Sequence, residues 1–496
     1  MFLFERAFAL PGHSQNSSLL QHLENSVGAR MPQDAIPLRL AVTETTEKGL
    51  NCEAGILEGF PEGWFQIPES IFNFTKRPPR DNDQFNITLI VPTGIGAEIG
   101  GHAGDATPVA RLLGGVCDLL ITHPNVVNAS DINEMPENTL YVEGSILSRF
   151  LMGAIGLRPV QSNRVLVILD DNKEQVFVNA AINAVNAARA SYGLDCPEII
   201  LIEPQLIMRS VYTDSGSAAG EIENLDYVFK VLEENKGDYD AVALSTVITV
   251  PHHYHQEDFN RQGEMINPWG GVEAMLTHAI SSVFNVPSAH SPMFESPFIA
   301  NMDPGVVEPR MAAEAVSMTF LQCVLKGLRR SPRIVTEQEE METPQVLNAG
   351  DVSCLIIPDG CLGLPTLAAL EQGFPVIAVR ENKNLMKNDL SKLPWNPGQF
   401  HRVDNYWEAV GVIDEMRDGM FSKSMQIPNL PWEPGRQPTV RTKREYVGFE
   451  MAKEIELVPS SVRRPIAATP TRKRKFLTGE IPWNFEIARA VGKKTV

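Results

Sequence analysis

The stretch "TVPHHYHQEDF" sets His252, His253 and His255 directly behind an apolar run, with Glu257 and Asp258 following. In an extended segment alternate side chains share a face, so His253 and His255 point the same way and form a candidate metal pair. A third ligand from elsewhere, such as His123, His290 or Glu143, would complete a site for a divalent ion, zinc or magnesium, with a position left open for water. The spacing is not diagnostic of a metal. Acid–base work by one of the histidines is the stronger expectation, because imidazole titrates near neutrality. His123 follows "LLIT" and His290 sits in "VPSAHSPM", so the candidate catalytic residues are His123, His253, His255 and His290. A Ser–His nucleophile at Ser291 has neither a GxSxG elbow nor a third member.

Two glycine-rich turns offer a grip on a ligand. In "LIVPTGIGAEIGGHAGDATPVARLL" an apolar run ends in Pro92 and Thr93. Gly94, Gly96, Gly100, Gly101 and Gly104 then precede a helix start marked by Asp105, Thr107 and Pro108. Backbone N–H groups free of side chains at a helix start suit phosphate or carboxylate. Neither GxGxxG nor the P-loop spacing is present. In "IIPDGCLGLPTLAALEQGFPVIAV", Asp359, Gly360 and Gly363 repeat the device before a helix opened by Pro365 and Thr366. Thr93, the five glycines, Asn125 of "HPN" and Asp359, Gly360 and Gly363 are therefore the candidate anion-binding residues. Trp269, with Gly270 and Gly271, offers a flat wall beside the ligand or a packing contact.

The elements that must position these groups alternate. "FNITLIV", "CDLLIT", "RVLVIL", "EIILI", "DAVALS" and "VSCLII" are short apolar runs without alternation, as in strands buried on both faces. Helical stretches lie between them: one after Asp171 that stops near Gly193, two that end at Gly237 and Gly327, and one over 271–284. The fold class expected is α/β, a mostly parallel sheet flanked by helices in Rossmann-like layers. Residues 1–82 are expected to form a small α+β lobe of short strands. Residues 83–400 form the α/β core with the site, and 401–496 a helix followed by a proline-rich basic tail. Ligands of such sheets sit beyond the carboxyl ends of the strands, where the polar residues and prolines above collect.

The 496 residues carry a net charge of −18, which argues against nucleic acid and anionic membranes as partners. The charge is uneven: from Arg436 onward 14 Lys and Arg face 6 Asp and Glu. A basic tail of this kind is expected to wrap the acidic body or to join copies in a homo-oligomer. Six cysteines without a CxxC pair read as reduced thiols, and no run of 18 apolar residues suggests a membrane span, so a cytoplasmic protein is expected.

Several long phrases, "VPTGIGAEIGGHAGDATP", "LITHPNVVNASDINEMPENTLYVEGS", "NPWGGVEAMLTH", "VPSAHSPM" and "PDGCLGLPTLAALEQG", resemble a family of cyanobacterial and plant proteins known as a domain of unknown function. The likeness covers most of residues 1–420. It implies a soluble protein of a photosynthetic or related bacterial lineage and transfers no activity. The residues themselves lead to an enzyme for a small phosphorylated or carboxylated metabolite, working by acid–base chemistry with or without a metal. Two alternatives stand beside it. The second glycine turn is loosely similar to the donor-site helix of GT-B glycosyltransferases, which implies a sugar-nucleotide-dependent transferase. The basic tail suits a non-catalytic assembly or scaffold protein.

Overall fold

In the computed structural model the apolar runs become strands of two different sheets, because an unbroken apolar run specifies burial on both faces but not a neighbour. The structure describes residues 1–424, except 14–17, 33, 61–62, 64–66, 81, 252–253, 255–264 and 318. All described residues belong to one compact unit, Met1–Lys453.

The strands, in chain order, are β1 (Phe2–Pro11), β2 (Ile36–Thr45), β3 (Gly49–Glu58), β4 (Asn86–Leu89), β5 (Leu119–Thr122), β6 (Thr139–Tyr141), β7 (Val165–Asp170), β8 (Ile199–Ile202), β9 (Ile207–Tyr212), β10 (Ala218–Glu223), β11 (Ala241–Thr249), β12 (Ser288–Met293), β13 (Cys354–Pro358), β14 (Leu362–Gly363), β15 (Val376–Val379) and β16 (Phe400–Val403). The main helices are α1 (Leu19–Gly28), α2 (Thr107–Gly114), α3 (Gly144–Leu151), α4 (Gln175–Tyr192), α5 (Leu225–Glu234), α6 (Gly270–Phe284), α7 (Leu321–Arg329), α8 (Leu364–Gln372) and α9 (Tyr406–Ser424).

One sheet has six strands in the order β16-β15-β13-β4-β5-β6, parallel throughout. Its first three strands in the sequence run outward from β4 and its last three outward from β13. The chain thus reverses direction across the sheet between β4 and β13, where a crevice opens beyond the strand ends. The other sheet has ten strands and is mixed. β8, β7, β11 and β12 pair in parallel, whereas β9, β10, β1, β3, β2 and β14 follow one another antiparallel. The α/β class holds, and a single mostly parallel sheet is corrected to two sheets, the larger mixed. Residues 2–58, expected in a separate lobe, supply β1–β3 of that larger sheet through pairing of β1 with β10.

Burial on both faces is visible in β7 and β11. Val165, Val167, Leu169, Ala241 and Ala243 enter one hydrophobic cluster, while Leu166, Ile168, Val242 and Leu244 enter a second on the opposite face. The second cluster is closed by α5 and α6. At the end of β7 the Asp170 carboxylate accepts from Leu206 N at 3.1 Å and Val247 N at 2.8 Å. It thereby replaces ladder bonds where β9 takes over from β7 beside β11. Helix α4 stops at Gly193 in a left-handed conformation, as the sequence predicts. The helix expected to end at Gly327 is instead broken. Short turns at 309–316 are followed by a left-handed Phe320, and α7 then runs past Gly327 to Arg329.

Candidate functional site

Both sheets contribute to one cavity of about 460 Å³. Its walls come from the loop after β4, the segment after β5, the starts of α3 and α6, β12, β2 and the turn before α8. Thr93, Gly94, Gly96, Gly100, Gly101, His123, Asn125, His290 and Gly363 all line it. Gly104 lies apart, where an added Cβ would meet Ala129. Asp359 and Gly360 are also outside the lining: Asp359 pairs with Arg402 at 3.0 Å. His253 and His255 lie outside the described residues. Among the described residues no group of three or more His, Cys, Asp and Glu is placed to hold a metal ion.

Sequence reasoning passed over His278, on α6, whose Nδ1 hydrogen-bonds Glu143 Oε1. Glu143 caps α3: its Oε2 accepts from Ser145 N at 2.9 Å and Ile146 N at 3.2 Å, and from the Ser145 hydroxyl. Thr277 Oγ1 donates to Oε1 at 3.3 Å. Burial alone would raise this carboxyl, but the charge and hydrogen bond of His278, joined by Ser145, outweigh it and hold the carboxyl at about 2. An ionised carboxylate only accepts, so His278 Nδ1 carries the proton and Nε2 is directed to other partners. The side chain of His278 is 15% exposed, at the cavity wall, and its Cε1 lies against Gly144. The signal in the sequence was a lone histidine in "LTHAISS" and an acid at a helix start, "YVEGS". Nothing in their spacing joins residues this far apart.

His123 has a different office. Val91 N donates to its Nε2 at 3.1 Å, which fixes the Nδ1–H tautomer. Burial, despite the charge of Glu143, lowers its pKa to about 4, so the ring is neutral at physiological pH. His290 stands in the middle of β12, paired with Leu244, not at the strand end expected. Its Nδ1 meets Glu273 Oε1 at 2.9 Å and its Nε2 meets Thr246 Oγ1 at 2.8 Å. Both ring nitrogens of His290 are thus engaged within the protein.

The first glycine loop is largely self-satisfied at its far end. Asp105 accepts from Gly100 N at 2.7 Å and His102 N at 3.4 Å, and Glu314 accepts from Ala103 N at 2.8 Å. Asn125 Nδ2 ties the loop by donating to Val91 O and Gly100 O. The near end differs. Gly94 and Gly96 have φ of +79° and +63°. The carbonyls of Gly94 and Ile95 accept from Ala218 N and Leu385 N, whereas the amides from Thr93 to Ala97 find no acceptor among the described residues.

The model of the family described as "Protein of unknown function (DUF3326)" matches residues 86–426. A protein of Synechococcus sp. described as an uncharacterised lipoprotein is 34% identical over 336 residues, 67% of this chain and 90% of that protein. No solved structure matches the chain.

Proposed function

The chain belongs to this DUF3326 family of proteins of unknown function, and we propose that it is an enzyme that moves a proton on a small anionic metabolite. The observation that carries the reading is the His278–Glu143 pair on the wall of a cavity that also holds the unpaired amides of 93–97. In this mechanism the amides grip a carboxylate or phosphate. The imidazolium that pairs with Glu143 in the resting site first releases its Nε2 proton to solvent. Neutral His278 then takes a proton from the substrate at Nε2, and the ionised Glu143 stabilises the imidazolium that is re-formed. Neutral His123 donates from Nδ1 to the oxygen on which negative charge develops, a role it keeps well above pH 4. No cofactor enters these steps. The strand order and the cavity's place beyond β4 and β13 support reading the six-stranded sheet as Rossmann-like. Asp359 and Gly360 stand outside the cavity, so the sugar-nucleotide alternative has only one glycine grip in its favour.

The test is a panel of small carboxylates and phosphates, screened first for thermal stabilisation. Those that bind are then incubated with protein in D₂O and followed by NMR. Exchange of a carbon-bound hydrogen is expected, with loss of at least about 100-fold in His278→Gln. A panel in which nothing binds, or exchange unaffected by the substitution, overturns the proposal.

A further inference from the structure

Among the described residues that line the cavity, Arg39 is the one Arg or Lys. It lies on β2, where its aliphatic stem crosses Gly55 of β3: a Cβ there would fall 2.8 Å from Arg39 Cγ. The missing side chain lets the arginine lie along the sheet. Its Nη2 donates to Glu5 Oε1 at 3.0 Å, and Glu5 is 2% exposed while Arg39 is 18% exposed. Guanidinium has five N–H donors. Among the described residues this bond to Glu5 is the one hydrogen bond the guanidinium makes, and neither Nε nor Nη1 is sealed from solvent. Arg39 lies in the cavity wall, and these two nitrogens are left for a ligand. One edge of the fork is anchored and the rest is presented, which is how arginine recognises a carboxylate or phosphate in two-point fashion. Helix α6, which carries His278, packs against β2, which carries Arg39, and both residues line the cavity.

We propose that Arg39 is the specificity residue of the cavity, binding a carboxylate of the substrate beside His278, so that the substrate is a dianion whose second acidic group sits in the amides of 93–97. The inference rests on the proposed function and narrows it to dicarboxylates and phosphorylated carboxylates. Carbon next to a carboxylate is where His278 would work, because a guanidinium on that carboxylate offsets the charge that builds as the proton leaves. Glu143 and Glu273 are occupied by His278 and His290, and Glu314 by Ala103 N and Asn267, so their charges are engaged elsewhere in the wall.

Matched probes test this on the full chain by calorimetry: succinate and phosphoglycolate, each with two acidic groups, as the dianion-type ligands, and acetate and dimethyl phosphate as single-charge controls. Wild type is expected to bind at least one dianion at least about tenfold more tightly than either control. Arg39→Lys keeps a cation for Glu5 but loses the fork, and is expected to abolish that preference. The double variant Arg39→Met with Glu5→Gln removes both charges and leaves no buried ion unpaired. It is expected to bind dianions no better than the controls while its circular dichroism stays that of wild type. Dianion preference unchanged in Arg39→Lys, or monoanions binding wild type equally well, overturns the Arg39 assignment and leaves the His278 reading standing if deuterium exchange persists. A wild type that binds no probe and exchanges none overturns both.

Discussion

Replacing Glu143 by Gln perturbs structure and chemistry at one point. A carboxyl held at about 2 in the folded chain against an ordinary 4.5 contributes on the order of 3 kcal/mol at neutral pH, and at 2% exposure little of this is screened by water. The folded pKa is depressed, so the contribution is fully present above 4.5 and is lost as the pH falls towards about 2. Glutamine keeps one oxygen for the amides of Ser145 and Ile146 but turns an NH₂ towards His278. The imidazole must then accept at Nδ1 and carry its proton at Nε2, the atom meant to be the base. Urea unfolding is expected to show Glu143→Gln about 2–3 kcal/mol less stable at pH 7, with the gap narrowing by roughly half at pH 3.5. Long-range ¹⁵N–¹H spectra of the histidines would record the change of tautomer. Equal unfolding midpoints at pH 7, or a His278 still protonated at Nδ1 in the variant, would refute the reasoning.

Glu314 has the opposite sign. Burial first, and the charge of Glu273, raise its carboxyl to about 7 against the opposing hydrogen bond from Ala103 N, so folding takes up a proton and stability falls as the pH rises from about 4.5 to about 7. Glu314→Gln keeps both bonds on a single oxygen. Melting curves are expected to show it near wild type at pH 4 and about 1–2 kcal/mol more stable at pH 8, a figure reduced for the water that reaches this group from the cavity; a variant less stable at pH 8 would count against it. Gly144→Ala places a methyl group 2.9 Å from His278 Cε1 at the start of α3. It is expected to slow deuterium exchange by at least about tenfold, yet leave stability within about 1 kcal/mol because Ala suits a helix; unchanged exchange would remove His278 from the chemistry.

Legibility in the sequence followed the range of the information. Local signals held: the runs at "RVLVIL" and "DAVALS" are strands, and Gly193 ends α4 in the left-handed conformation that glycine permits. Which sheet each run joins was not legible, because β4 and β7 show the same apolar pattern and part company only through pairing partners. The site divided in the same way. His123 and Asn125 were found because they follow a strand, and Gly94 and Gly96 because glycines cluster. The His278–Glu143 pair was not, since it joins a helix face to a helix cap 135 residues away. His253 and His255 lie outside the described residues, as does the basic tail.

The parallel sheet begins with β4 and is joined through its middle only when β13 arrives, since its central pairing joins Ile87 to Cys354. On the ribosome, at about 5–20 residues per second, β4 would wait on the order of tens of seconds for that partner. Meanwhile the strands of the larger sheet up to β12 have already emerged and can pair among themselves. The cavity, built across that junction, then forms late in synthesis. A ligand that fills it acts on the slow closing step, and chains cut short before residue 354 would carry the histidines without a pocket to hold them.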